Sequence, residues 1–183
     1  LEHKMFDTRE GNALQDLAAN GASPNAFTSN AITGYYFEST EKFEENLRIL
    51  LSFVSVPWFT QESVDKEQGI IGQEIGMIED DPEWKVFMNL MAALYRSHPV
   101  RVSVAGSVES ISHITADTLY ACHKAFYDPA NMVLCVAGPV DPRHICEVAR
   151  EILPKEAGPI AAKDYGPQEP PRAAQALVEE KME

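Results

Sequence analysis

Residues 23–37, Ser23-Pro24-Asn25-Ala26-Phe27-Thr28-Ser29-Asn30-Ala31-Ile32-Thr33-Gly34-Tyr35-Tyr36-Phe37, decide the fold class. The segments flanking them read as helix, whereas this stretch combines β-formers with turn residues and reads as a pair of strands. On the upstream side, Leu14, Leu17 and Ala18 share one helical face, and Asn20-Gly21 supplies a helix stop. On the downstream side, Ser39 or Thr40 caps a helix in which Phe43, Leu47, Leu50, Leu51 and Val54 recur at helical spacing up to Pro57. Thr60 to Ser63 opens a longer helix reaching about Asp80, and Pro82 starts another, over residues 83–95. A loop over 98–106 precedes helical stretches at 110–111 and 115–126. Residues 131–137 (NMVLCVA) form a short apolar run suited to a buried strand, and Asp141-Pro142 opens a last helix to Leu153. From residue 154 the density of Pro, Gly and Lys suggests a linker, with 175–182 as the start of a further strand. The expected architecture is α+β: a layered domain with a mainly antiparallel sheet and helices packed on one face.

Composition bounds the function. A chain of 183 residues, 45% hydrophobic, is long enough to bury a substantial core in one domain or slightly more. The formal net charge of −13 argues against nucleic acid or an anionic membrane as partner. No apolar run approaches the roughly 20 residues that span a bilayer. The three cysteines, Cys122, Cys135 and Cys146, are odd in number and lack Cys-x-x-Cys spacing. They read as buried thiols in a reducing compartment, which suggests a cytoplasmic protein.

Two acidic features carry chemistry. Glu67 and Glu74 are seven residues apart, hence on one face of the long helix, and Ile70, Ile71 and Ile78 fall on that same face. A carboxylate within an apolar stripe is costly to bury unless it is paired or binds a metal. In isolation the pair also reads as rim acids partnering Lys or Arg. Gly69, Gly72 and Gly76, opposite, suggest close packing on a second face. At the start of the chain, Glu2-His3 has the form of the second half of an inverted zinc signature, His-x-x-Glu-His, whose first His would sit two residues upstream of Leu1. Imidazoles at i and i+4 can share one Zn²⁺, and a Glu beside them can take a proton from metal-bound water. A dipeptide at a terminus is equally read as a frayed, solvated end.

Taken in order, Glu2-His3, the Ser23-Pro24-Asn25-Ala26-Phe27-Thr28-Ser29 stretch and Glu67-x₆-Glu74 resemble the signatures of the M16 metallopeptidases, the family of pitrilysin, insulin-degrading enzyme and mitochondrial processing peptidase. Asp128-Pro129-Ala130-Asn131 followed by VLCVAGPV at 133–140 is similar to that family's helix-to-strand transition. LEHKMF at 1–6 and GIIGQEIGMIEDD at 69–81 resemble a bacterial zinc-protease branch more closely. The resemblance spans residues 1–153, taken as a truncated metal-bearing peptidase domain missing the family's N-terminal strands, with 154–183 as linker and the start of a following segment.

The resemblance implies roles residue by residue. His3 and Glu74 match zinc ligands, Glu2 the general base that activates zinc-bound water, and Glu67 an additional acid that orients a ligand. Residues Asn25, Ala26, Phe27 and Thr28 match an edge strand on which an extended peptide pairs by β-augmentation. By their pattern alone they also read as an ordinary edge strand. The resemblance implies Zn²⁺ as cofactor, a peptide or unfolded protein as substrate, and a C-terminal M16-like half or paired subunit as partner. Lacking the first His, the chain alone is expected to bind zinc weakly and not to hydrolyse peptides. The alternative reading is a non-catalytic M16-like pairing or scaffold subunit, and a third is an acidic helical interaction domain. His98, before Pro99, reads as a loop residue, His113, His123 and His144 have no partner at ligand spacing, and Glu79, Asp80, Asp81 and Glu83 solvate a helix junction better than they bind calcium.

Overall fold

A computed structural model describes residues 1–156, 158–160, 162, 164–170 and 177–181. Helices α1 (Glu2–Met5) and α2 (Ala13–Ala19) precede strands β1 (Ser23–Thr28) and β2 (Thr33–Glu38). Helices α3 (Phe43–Ser55), α4 (Gln61–Glu79), α5 (Pro82–Leu94), α6 (Val108–Ser112), α7 (Ala116–Phe126) and α8 (Pro142–Ile152) follow. Short 3₁₀ turns lie at Pro99–Arg101 and Pro129–Asn131. The fold is α+β, with β1 and β2 antiparallel. The chain divides into two compact units: Leu1–Thr28 with Ile32–Val64 and Thr115–Ala161, and Ser29–Ala31 with Asp65–Ile114 and Ala162–Glu183.

In the first unit, local chemistry sets the helix ends. The Asn12 side chain accepts from the Leu14 N–H to cap α2, and Gly21 follows its end with φ +77°. Thr115 and Thr118 form a capping box on α7, and Asp141 caps α8 ahead of Pro142 at its first position. Helix α3 departs from expectation: neither Ser39 nor Thr40 caps it, and its N-cap is Lys42 in the left-handed region, with no side-chain cap. Its apolar stripe supplies the core. Leu47 and Leu51 pack with Ile145 and Val148 of α8, and Phe37, Phe43 and Val140 close around them. One face of the hairpin joins this core through aromatic contacts: the Tyr35 ring meets Phe6 and Phe53 edge-on at 5.5 and 5.6 Å, and Phe37 lies 5.9 Å from Phe43.

The run at 131–137 is not a buried strand. After the 3₁₀ turn its backbone finds no strand partner among the described residues, and Val133 is 94% exposed. A strand is a hydrogen-bonded ladder, so apolar β-formers alone do not make one. Val136 still packs on the α3–α8 core. The cysteines also differ from expectation: Cys122 is half-buried, Cys135 and Cys146 are exposed, and all three are free thiols. Cys135 owes its exposure to this unpaired run, and Cys146 to its place on the outer face of α8.

The second unit holds α4 beyond its first turn, α5 and α6. The Gln68 amide donates to the Ile111 and Ile114 carbonyls at 2.9 and 2.8 Å, tying α4 to the α6 region. Ile75 is buried, Ile71 and Ile78 half-buried, but Ile70 is exposed, so the covered stripe is narrower than the spacing suggested. The glycine face is open as well: a Cβ at Gly69, Gly72 or Gly76 would meet nothing within 4 Å among the described residues. No residue of α5 is buried. The later segment is tied back by Glu169, whose carboxylate accepts the Arg96, Ser97 and His98 N–H groups at 2.6, 2.7 and 2.7 Å. Those backbone donors pull its carboxyl down to about 2. Residues 177–181 lie outside any helix or strand, and Gln175, Ala176 and Met182 of the anticipated strand lie outside the described residues.

Candidate metal and substrate-binding site

Helix α1 is a single turn, held from below by Met5, fully buried, and by Lys4, which pairs with Asp7 at 2.5 Å. Asp7 in turn accepts from the Asn12 amide at 3.2 Å. So short a helix has little stability of its own; burial of Met5 and Phe6 fixes it. Glu2 and His3 ride on this turn, each half-buried. The Thr28 hydroxyl, at the end of β1, donates to the Glu2 carboxylate. The structure therefore brings Glu2 and Thr28 together although 26 residues separate them.

Beneath this end of the hairpin, the Tyr35 and Tyr127 hydroxyls are 2.7 Å apart. Burial pushes the Tyr35 hydroxyl strongly up, Tyr127 adds to the shift, and the Glu2 charge acts in the same direction. Burial also raises Tyr127, with Glu2 again adding to the shift. His123, buried, stacks on Tyr127 at 4.9 Å and bonds the Val54 carbonyl through Nε2 at 2.9 Å. Its role is thus structural. This Tyr–Tyr–His arrangement was not legible in the sequence: 92 positions separate the two tyrosines, and the only signal was aromatic density in β2.

Among the described residues β1 pairs with β2 alone, which leaves its other edge open. Asn25 is exposed, and its Oδ1 accepts the Ala26 N–H at 2.8 Å. Ala26 is half-buried, and Phe27 and Thr28 are exposed. Glu67 and Glu74 lie on α4 within the second unit, Glu67 half-buried and Glu74 exposed. No group of three or more His, Cys, Asp or Glu side chains that could hold a metal occurs among the described residues. By that donor set, the residues described do not fit a complete zinc site.

Comparison with known proteins identifies the class of chain in which Glu2 meets Thr28 at the end of β1. The chain belongs to the insulinase family of peptidases, M16. That family's profile matches residues 1–108, and the profile of the peptidase M16 inactive domain matches residues 113–183. The chain is 51% identical over 151 residues to YmfH of Bacillus subtilis, described as an uncharacterized zinc protease, covering 82% of this chain and 35% of that protein. It is 33% identical over 156 residues to the similarly described zinc protease ML0855 of Mycobacterium leprae, with 82% and 35% covered. An M16-like peptidase from Alicyclobacillus acidocaldarius superposes with a TM-score of 0.86 at 41% identity, over 96% of this chain and 42% of that one. A protease from Helicobacter pylori shares the fold at a TM-score of 0.78 and 19% identity, over 94% and 43%. The chain thus spans about a third of the length of the curated relatives it matches, 35% in both cases above. Among the described residues no helix is long and apolar enough to cross a membrane.

Proposed function

We propose that this chain is the metal-bearing part of a zinc-dependent endopeptidase that cleaves extended peptides or unfolded proteins. The observation that supports the reading is the Thr28–Glu2 hydrogen bond, which sets a carboxylate at the end of an open edge strand. An extended substrate adds to β1 through main-chain hydrogen bonds, which gives affinity with little sequence demand. Asn25 turns its amide from the Ala26 N–H to the peptide, Ala26 and Phe27 line the strand, and Thr28 holds the Glu2 carboxylate in one orientation. Glu2 takes a proton from the attacking water and delivers it to the leaving amine. A zinc ion, if held in the longer protein, would supply Lewis-acid chemistry beside these residues. By family resemblance His3 and Glu74 are two of its ligands and Glu67 orients a ligand.

In this reading residues 1–153 are the peptidase domain and 154–183 lead into the following segment, toward a C-terminal M16-like half or a paired subunit. The exposed free thiols fit a reducing compartment, the cytoplasm. A second reading, a non-catalytic pairing subunit, is favoured by the match of residues 113–183 to the inactive-domain profile. The deciding experiment assays the longer protein on an unstructured peptide with zinc and with a chelator. Hydrolysis that the chelator abolishes supports the peptidase. A folded protein that binds no zinc and cleaves nothing supports the pairing subunit.

A further inference from the structure

We propose that Gly34 is a specificity-determining position: its missing side chain lets the Phe27 ring pack close over the hairpin and so sets the depth of an apolar subsite for one side chain of the bound peptide. The inference rests on β1 being the substrate strand. Phe27 and Gly34 are register partners across the ladder. A Cβ placed on Gly34 would lie 2.5 Å from Cε1 and 2.7 Å from Cζ of the Phe27 ring. No ring tolerates that approach, so any larger residue at 34 forces the ring off the sheet. The backbone does not demand glycine here, because the positive-φ glycines are Gly21, Gly106, Gly138 and Gly166. Space is therefore what Gly34 provides. Glycine weakens a strand interior, and an aromatic laid over it from the neighbouring strand offsets that weakness.

The surroundings give the seat a use beyond packing. Side chains alternate across a sheet, so Asn25, Phe27, Gly34 and Tyr36 share the face opposite the core-facing Tyr35 and Phe37. Even packed over Gly34 the Phe27 ring stays 53% exposed, and Tyr36 is 42% exposed. Two exposed aromatics flanking an amide form a shallow floor suited to an aliphatic side chain of a strand-like ligand. A ring lifted by a Cβ at 34 would fill that floor. The other strand faces of the hairpin offer no such surface, because their aromatics are spent on the core.

The test uses the zinc-loaded longer protein and a short extended Ala/Ser peptide, with and without a single Leu placed opposite Phe27. Gly34→Ala is expected to raise KM for the Leu peptide about tenfold more than for its Ala counterpart. That excess should vanish in a Phe27→Ala background, where there is no ring to lift. An equal change for both peptides, no change for either, or the same excess without the ring would overturn the proposal. A second measurement needs no catalysis. In this chain the Gly34 Hα resonances should be shifted upfield by the Phe27 ring, lose that shift in Phe27→Ala, and move on addition of the Leu peptide. Unshifted or unmoved resonances overturn the specificity role. Resonances that do move, in a protein that hydrolyses nothing, sink the peptidase reading while the subsite stands.

Discussion

Helices α3 and α5 are both 13 residues long and rich in large apolar side chains, yet they end in opposite situations. Helix α3 buries Asn46, Leu47, Leu51, Phe53 and Val54. Helix α5 has no fully buried residue; one side is half-buried, and Val86, Phe87, Leu90 and Leu94 are all exposed. In α3 the apolar residues gather on one stripe that meets α8 and the hairpin; in α5 the exposed four also share one face at helical spacing, but that face is left uncovered among the described residues. The same contrast separates the two ends of the proposed chemistry. Glu2 sits on a turn fixed by buried side chains and is hydrogen-bonded by Thr28, whereas Glu74 is exposed on a helix with a thin core. Apolar content therefore says little about burial until the partner surface is known.

The largest effect that would sharpen this contrast is catalytic. In the zinc-loaded longer protein, Glu2→Gln should lower kcat by about 10²- to 10⁴-fold with metal content unchanged, as for loss of a general base. Glu74→Gln should instead lower bound zinc, read by metal analysis. Loss of zinc in the first variant, or full activity in either, would break the assignment of roles.

Next in size is the core. Leu47→Ala should cost about 2–5 kcal/mol by chemical denaturation, the range for a fully buried leucine. Leu90→Ala, half-exposed on α5, should fall within about 0.5 kcal/mol. Similar losses in the two variants would mean that α5 is covered in solution.

The hydroxyl pair under the hairpin gives a smaller effect. Tyr127→Phe should cost about 1 kcal/mol, the net worth of one hydrogen bond, with the helix content unchanged by circular dichroism. On α4, Gly76→Ala should raise stability by about 0.5–1 kcal/mol, because the space beside it is open and alanine favours the helix. A loss there would restore the close packing that the glycine spacing suggested.

The smallest effect lies at the surface between α3 and α8. His144 Nε2 lies 2.7 Å from Glu44, and that hydrogen bond raises the imidazole above its usual pKa. The same contact, followed by Arg48, lowers the Glu44 carboxyl. The histidine's share of stability is full below pH about 6.5 and fades as pH rises through its raised value; the carboxylate's share is full above pH about 4.5 and fades as pH falls. Both groups are exposed, so a slight maximum in melting temperature between those limits is expected. Glu44→Gln should bring the His144 titration, followed by NMR, back toward 6.5; an unchanged titration would remove the pair from the account.

Local chemistry in the sequence determined where elements begin and end. Asn12, Asp81, Thr115 and Asp141 cap the helices they precede, Pro82 and Pro142 take first helical positions, and residues 23–38 pair as a hairpin. Each depends on residues a few positions apart, which a linear reading can weigh. The sequence singled out Glu2 and Thr28 by resemblance, but not the hydrogen bond that joins them. Only tertiary structure decided which apolar faces are covered, that 131–137 finds no ladder and the glycine face of α4 no neighbour among the described residues, and that Tyr35 meets Tyr127. These outcomes turn on what a distant segment brings alongside: a strand needs a second strand for its backbone groups, and an apolar stripe needs another surface to exclude water.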